Sequence, residues 1–449
     1  MYESDTIAAI ATPTGPGSIG VVRASGPTVE HLARGVFQRH RPGAWQSHRL
    51  YGGRIVAGDG TPLDDGLAVL MRAPRSYTGE DVLELQCHGS PVLVQRVLQS
   101  LLSRGARPAR PGEFTQRAFL NGKLDLAQAE AVADLITART GDAASVAADQ
   151  LFGRLSAHLG DLRTELIRAK GHLEACIDFS EEDLDLDVGG LAADLDRVRT
   201  NVGALLRTYA RGRLLRNGLH VAITGRPNVG KSSLLNALLG SERAIVTEQP
   251  GTTRDIIEES ADFDGIPVVL ADTAGLRDSD DAVERIGVER ARRVAAAADV
   301  VLVVLDTARP LAGQETLLED GSIAVLNKID LPTAWRPEEI AAIEARHPAV
   351  RVSATVPRGL DALRQAVIRR AGGALTDQLP TLTSARQHDA LVKVEVSLNH
   401  ALGALREGLP PELVAVDLQA ALDHVGAVTG LVTSEDVLDA VFREFCIGK

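Results

Sequence analysis

Residues 225–233 read GRPNVGKSS, a match to GxxxxGK[ST], and they stand between an apolar run, HVAIT at 220–224, and a helical pattern, KSSLLNALLG at 231–240. Strand, glycine-rich turn and helix in that order place a row of backbone N–H groups around an anion at a helix N-terminus. Lys231 then reaches the outer phosphate oxygens, and the Ser232 hydroxyl is a ligand for Mg²⁺. The reading is a nucleotide phosphate loop in a domain built on a parallel sheet.

Working outward, PVVLAD, VVLVVLD and IAVLNK are further near-continuous apolar runs, as expected of parallel strands covered on both faces. This texture extends over 217–373. On either side of it the pattern is helical. Leu151, Leu155, Leu159, Leu162, Leu166 and Leu173 recur every three or four residues and predict one long helix, and Leu191, Leu195, Val198, Val202 and Leu205 continue the stripe. Helical texture returns with Leu418, Leu422 and Val425 on one face, and TSED opens a last helix with Thr433 and Asp436 as a capping box. Before all of this, TIAAIAT, IGVVRAS, RLYGGRIVA, GLAVLMR and VLELQCH alternate with SPVLVQRVLQSLLSRG as a small α/β domain that Pro108 and Pro111 close. The expected architecture is multidomain, α/β plus all-α: an N-terminal α/β domain at 1–120, a discontinuous helical domain at 121–216 and 374–449, and an inserted P-loop domain at 217–373.

Composition sets the class. The chain has 449 residues, 45% hydrophobic and 24% charged, with 3% aromatic, so its cores rest on Leu, Val, Ala and Ile. No apolar stretch reaches the roughly 18 residues of a membrane span, and the start carries no leader pattern, which predicts a cytoplasmic protein. Cys87, Cys176 and Cys446 are odd in number and far apart, which points to neither a disulfide framework nor a zinc site. A net charge of -12 argues against strong unaided binding to nucleic acid or anionic membrane.

Four more segments follow the phosphate loop in order: GTTRD at 251–255, DTAG at 272–275, NKID at 327–330 and VSA at 352–354. Together they resemble the GTPase G-motifs. The resemblance implies a GTP site of Asn228, Val229, Gly230, Lys231, Ser232, Ser233, Thr247, Thr252, Thr253, Asp272, Thr273, Ala274, Gly275, Asn327, Lys328, Asp330, Ser353 and Ala354. Ser232 and Thr253 would hold Mg²⁺, Asp272 and Gly275 would sense the γ-phosphate, and Asn327 with Asp330 would select guanine. Where Ras-like proteins carry a water-orienting glutamine after DTAG, this chain has Leu276, which cannot hydrogen-bond to water. Asn228 and the acidic run DSDDAVE ending at Glu284 remain as candidates for the missing work.

SYTGED (76–81), ELQCHG (84–89), RPGEFTQRAFLNGKLDLAQAEA (110–131), the inserted G domain and a terminal CIGK together resemble the tRNA uridine-modifying GTPase family MnmE, also called TrmE, over essentially the whole chain. That resemblance implies a homodimer formed through the N-terminal domain. It also implies an FAD-containing partner, MnmG, joined as a heterotetramer, and modification at C5 of the wobble uridine of certain tRNAs. K⁺ would be held by Asn228, Thr247, Gln249 and Thr252, and Glu284 would orient the attacking water. A 5-formyl-tetrahydrofolate would meet Arg23, Glu80, Lys123 and Lys449. Cys446, on a tail expected to be supple at Gly448 beyond a helix anchored by Phe442 and Phe445, would attack C6 of the uracil. Two departures lie nearby: Pro16 in GPGS, and HGS where HGG is common. The competing reading is a regulatory RNA-binding GTPase of the ribosome-assembly type, which usually adds a compact basic module that this sequence lacks.

Overall fold

The computed structural model describes residues 5–178, 187–240, 258–272, 295–311, 313–372, 379–443 and 445–449. The N-terminal sheet comprises β1 (Ile7–Ile10), β2 (Gly17–Ser25), β3 (Phe37–Arg39), β4 (Arg49–Val56), β5 (Pro62–Met71), β6 (Val82–Gly89) and β7 (Arg107–Pro108). Its order is β3-β4-β5-β6-β2-β1-β7, antiparallel except where β1 meets β7. Side-chain alternation sends Val22, Ala24, Ala68, Leu70, Leu83, Leu85 and Cys87 into a core closed by α1 (Val29–Val36) and α2 (Pro91–Leu102). The same alternation places Val21, Arg23, Leu67, Val69, Glu84 and Gln86 on the opposite, incompletely covered face.

After α3 (Glu113–Leu120) come α4 (Leu126–Thr137), α5 (Gly141–Leu151), α6 (Arg154–Asp178) and α7 (Val188–Asn217). The predicted leucine stripe is buried from Leu155 through Leu173 on α6 and from Leu191 through Leu205 on α7. It is not one helix from Leu151, because that residue ends α5 and Gly153, at φ 85°, breaks the run.

The inserted sheet contains β8 (Leu219–Thr224), β9 (Glu258–Phe263), β10 (Ile266–Asp272), β11 (Val300–Asp306), β12 (Ile323–Asn327) and β13 (Ala349–Arg351), ordered β13-β12-β11-β8-β10-β9. All neighbours are parallel except the hairpin pair β9 and β10. Among the described residues its helices include α8 (Lys231–Leu239), α9 (Pro337–Arg346) and α10 (Leu360–Arg370). Val221, Ile223, Leu302, Val304 and Val325 pack into a core on one face, and Val303, Leu305, Ala324 and Leu326 pack with Trp335 and Ile343 on the other. Two covered faces account for the unbroken apolar runs.

The chain then returns to where it left. Leu382 N–H donates to Thr208 Oγ1 of α7 at 3.0 Å, ahead of α11 (Ala385–Arg406), α12 (Pro411–Thr429) and α13 (Glu435–Arg443). Contacts divide the molecule into two compact units, Met1–Ala133 with Gly426–Lys449, and Asp134–Val425. The C-terminal segment therefore folds with the N-terminal sheet. Helix α13 begins at Glu435, and Leu438 N–H bonds to Ser434 C=O, so the cap falls one residue later than Thr433. Phe445 lies beyond the end of α13 and is nonetheless buried, its ring 5.4 Å from that of Phe442. No helix among the described residues is long and apolar enough to cross a membrane.

Candidate functional site

Strand β8 delivers the phosphate loop; two bonds tie that loop to Asn327 and Lys328 at the end of β12, and a further bond ties Asn327 to the loop after β13. Asn327, only 1% exposed, donates Nδ2–H to Val229 C=O at 2.9 Å and accepts at Oδ1 from Ala354 N–H at 3.3 Å. Lys328 Nζ donates to Asn228 C=O at 3.0 Å and to Asp306 Oδ2 at 2.6 Å. Ser353 Oγ donates to Asp330 Oδ1 at 2.5 Å. A Cβ on Gly230 would sit 2.4 Å from Asn327 Nδ2, so a residue with no side chain is required where the two loops meet.

Lys231 Nζ donates to Gly225 C=O at 3.0 Å and Arg226 C=O at 2.9 Å, which folds the ammonium over its own loop. Pro227, Asn228, Gly230, Lys231, Ser232, Ser233 and Lys328 line a cleft of about 490 Å³. Ser232 and Ser233 are exposed in the first turn of α8, and Asn228 is exposed with φ at 64°. The predicted residues Asn228 to Ser233, Asn327, Lys328, Asp330, Ser353 and Ala354 thus form one contiguous site. Asp272 closes β10. Thr247, Gln249, Thr252, Thr253, Thr273, Ala274, Gly275 and Glu284 lie outside the described residues. Asp306 was not foreseen; its signal was a carboxylate ending the apolar run VVLVVLD, where an uncompensated charge is costly and Lys328 supplies the partner.

In the other unit, Arg23 on β2 and Glu84 on β6 are direct cross-strand neighbours. Arg23 donates Nε–H to Glu84 Oε1 at 2.9 Å and places Nη2 at 2.8 Å from the same oxygen. Its guanidinium lies 5.4 Å from the Tyr77 ring centroid and 5.8 Å from that of Phe114. Lys449 is half-buried beside it: desolvation first, and then the Arg23 charge, lower its pKa below the usual lysine range, against the raising influence of Glu84 and Cys446. Arg23 and Lys449 belong to the same unit, and the Arg23 charge is felt at Lys449. Glu80 Oε2 accepts from Ser25 Oγ at 2.7 Å and from Arg117 Nη1 at 3.0 Å, so that carboxylate is already engaged. Lys123 Nζ donates to Pro74 C=O at 3.1 Å, and its Cγ lies near Gly79, the neighbour of Glu80.

Sequence reasoning passed over Arg117 and Glu84. Arg117 is 1% exposed and pairs with Asp5, Glu80 and Glu113. It stands inside RPGEFTQRAFL, where its burial could be read only from the fold. Glu84 was legible as an outward position in the alternation of VLELQCH.

The tail is held down, contrary to the expectation of a supple segment. Ile447 bridges to Pro111, Gly112 N–H donates to Cys446 C=O at 3.4 Å, and Phe114 N–H donates to Lys449 C=O at 3.2 Å. Gly448 is needed for contact, not freedom: at φ 101° its Cβ position would lie 2.1 Å from Ile10 C=O. Cys446 itself is exposed.

A phosphate loop tied to the NKID and VSA segments on a mostly parallel sheet, inserted into a helical framework, defines a P-loop GTPase. The family descriptions "GTP-binding protein TrmE N-terminus" and "MnmE helical domain" match residues 6–123 and 126–446. Proteins called tRNA modification GTPase MnmE from Natranaerobius thermophilus and Symbiobacterium thermophilum are 44% and 47% identical, each over 99% of both chains. Its namesake from Roseiflexus is 45% identical over the full length of both. The chain belongs to the MnmE family of tRNA modification GTPases.

Proposed function

We propose that this chain hydrolyses GTP to drive modification at C5 of the wobble uridine of certain tRNAs. It would act as a homodimer with the FAD-containing partner MnmG in a heterotetramer, drawing on a folate one-carbon unit to add a carboxymethylaminomethyl or aminomethyl group. The observation that carries the reading is that one chain holds both the Asn327-tied nucleotide cleft and, in its other unit, the Arg23–Lys449 cation pair beside an exposed cysteine. The work divides among 1–120 for dimerisation and folate, 217–373 for GTP, and 121–216 with 374–449 as the framework.

The chain's own residues support each role. Lys231 exchanges loop carbonyls for phosphate oxygens. Asn327 holds the loops, leaving Asp330 to accept the guanine donors. Ser232 and Asn228 present exposed oxygen donors beside the phosphate loop, a set that suits hard cations: Mg²⁺ with Thr253, and K⁺ with Thr247, Gln249 and Thr252. Such cations supply charge neutralisation between the phosphates. Glu284 orients the attacking water. Two cations suit the carboxylates of 5-formyl-tetrahydrofolate, and Glu80 and Lys123 are the further folate contacts of this reading. Cys446 Sγ, as thiolate, adds to C6 of the uracil and passes the electron pair to C5, which bonds the one-carbon unit; loss of the C5 proton then re-forms the C5–C6 double bond and expels the thiolate.

The test is nucleoside mass analysis of tRNA from a deletion strain complemented with wild type, Asn228→Ala or Cys446→Ser. C5-modified uridine should return with wild type and fail to return with Cys446→Ser. Purified Asn228→Ala should bind GTP yet hydrolyse it equally in KCl and NaCl, whereas wild type favours KCl. Unmodified tRNA after wild-type complementation would leave a GTPase without this chemistry.

A further inference from the structure

The open face of the N-terminal sheet contains an anion that no role above uses. Glu84 sits directly across from Arg23, with side-chain exposures of 20% and 15%, and makes two contacts to one guanidinium. Both residues belong to strand interiors, so the backbone holds them in register. Arg23 is also flanked by Tyr77 and Phe114, which restrict the guanidinium plane. Nε–H is committed to Glu84 and Nη2 lies beside the same oxygen, which leaves Nη hydrogens for a ligand.

We propose that Glu84 is the positioning residue of this site: from the neighbouring strand it aims the Arg23 guanidinium, so that the guanidinium engages a carboxylate-bearing ligand. The inference rests on the folate reading for the identity of that ligand. Its electrostatic logic is local. The groups facing Lys449 are Arg23 from β2, Glu84 from β6 and Cys446 from its own segment. Arg23 and burial favour the neutral amine; Glu84 opposes them. Without Glu84 the Lys449 ammonium gives up its proton at a lower pH, and Arg23 turns freely. A site with one fixed anion and two cations retains net positive charge for a carboxylate while remaining assembled in the empty state.

The experiment uses full-length protein. Calorimetric titration with 5-formyl-tetrahydrofolate between pH 6.5 and 9.5 is compared for wild type, Glu84→Gln and Glu84→Asp. In parallel, Lys449 acylation by acetic anhydride without folate is mapped by mass spectrometry over the same range. Glu84→Gln should weaken folate by about tenfold or more, the loss of one charged hydrogen-bond partner. Its binding should fade at lower pH than wild type, Lys449 should acylate at lower pH, and Glu84→Asp should recover part of each. Thermal melting followed by circular dichroism identifies a misfolded variant, in which case Glu84→Asp alone carries the comparison. Unchanged Lys449 acylation with unchanged folate affinity would overturn the positioning role. Absence of folate binding in wild type, with the acylation shift present, would overturn the folate reading and leave Glu84 holding the cations for another carboxylate.

Discussion

At the scale of single residues, two positions do work their chemical type alone does not announce. Asn327 spends both ends of its carboxamide on Val229 C=O and Ala354 N–H, so it joins loops. Asn327→Ala should strand both backbone groups, each costing about 1–3 kcal/mol when buried without a partner. GTP affinity is expected to fall more than about tenfold, read by fluorescence titration with a methylanthraniloyl nucleotide. Gly448 is the second. Alanine there would meet Ile10 C=O as well as an unfavourable φ, so Gly448→Ala should release the tail from Pro111 and Phe114. Cys446 alkylation by iodoacetamide should accelerate and folate binding weaken; an unaltered alkylation rate would mean the tail stays docked. Motif spacing made the glycine and asparagine visible, but the contacts that make them necessary include residues far off in sequence, Ile10 for Gly448 and Val229 for Asn327.

At the scale of elements, the junction of β7 and α3 is built from charge. Burial alone would raise the Glu113 carboxyl, but hydrogen bonds from Arg107 and the Arg110 backbone, with the charges of both arginines, bring it down to about 2. A depressed carboxylate stabilises the fold above its unfolded pKa, and that contribution is lost as pH falls through the folded value. The window runs from about 4.5 to about 2, and the contribution is on the order of 3 kcal/mol. Glu113→Gln should therefore flatten the acid-unfolding curve of wild type in that window, followed by circular dichroism. None of this was legible beforehand: RPGEFTQR showed charges, and only folding set Arg107 and Arg117 around one carboxylate and shared both arginines with Asp5. The short strands β3, β7, β9 and β13 were missed for a related reason, since their pairing partners, not their own pattern, define them.

At the scale of the whole molecule, insertion is the organising fact. The chain leaves α7 at Asn217 and by Leu382 is bonded again to Thr208 of the same helix. Replacing 218–379 by a short Gly/Ser linker should preserve the helical circular-dichroism signal while abolishing GTP binding. It should also lower stability by about 3–6 kcal/mol, because Leu214 and Leu215 lose the cover of the inserted core. Loss of the helical signal would show that the framework cannot close without its insert. The sequence by itself determined the phosphate loop, the inserted parallel sheet, the helical flanks and the family, because these depend on local spacing and periodicity that any fold of the chain must respect. Tertiary structure alone decided that the last residues from Gly426 fold with the N-terminal sheet, that the CIGK tail is fastened, and that Glu84 faces Arg23. Those facts depend on register and on long-range pairing, where one residue of slip reverses a side chain's face and no local pattern records the partner.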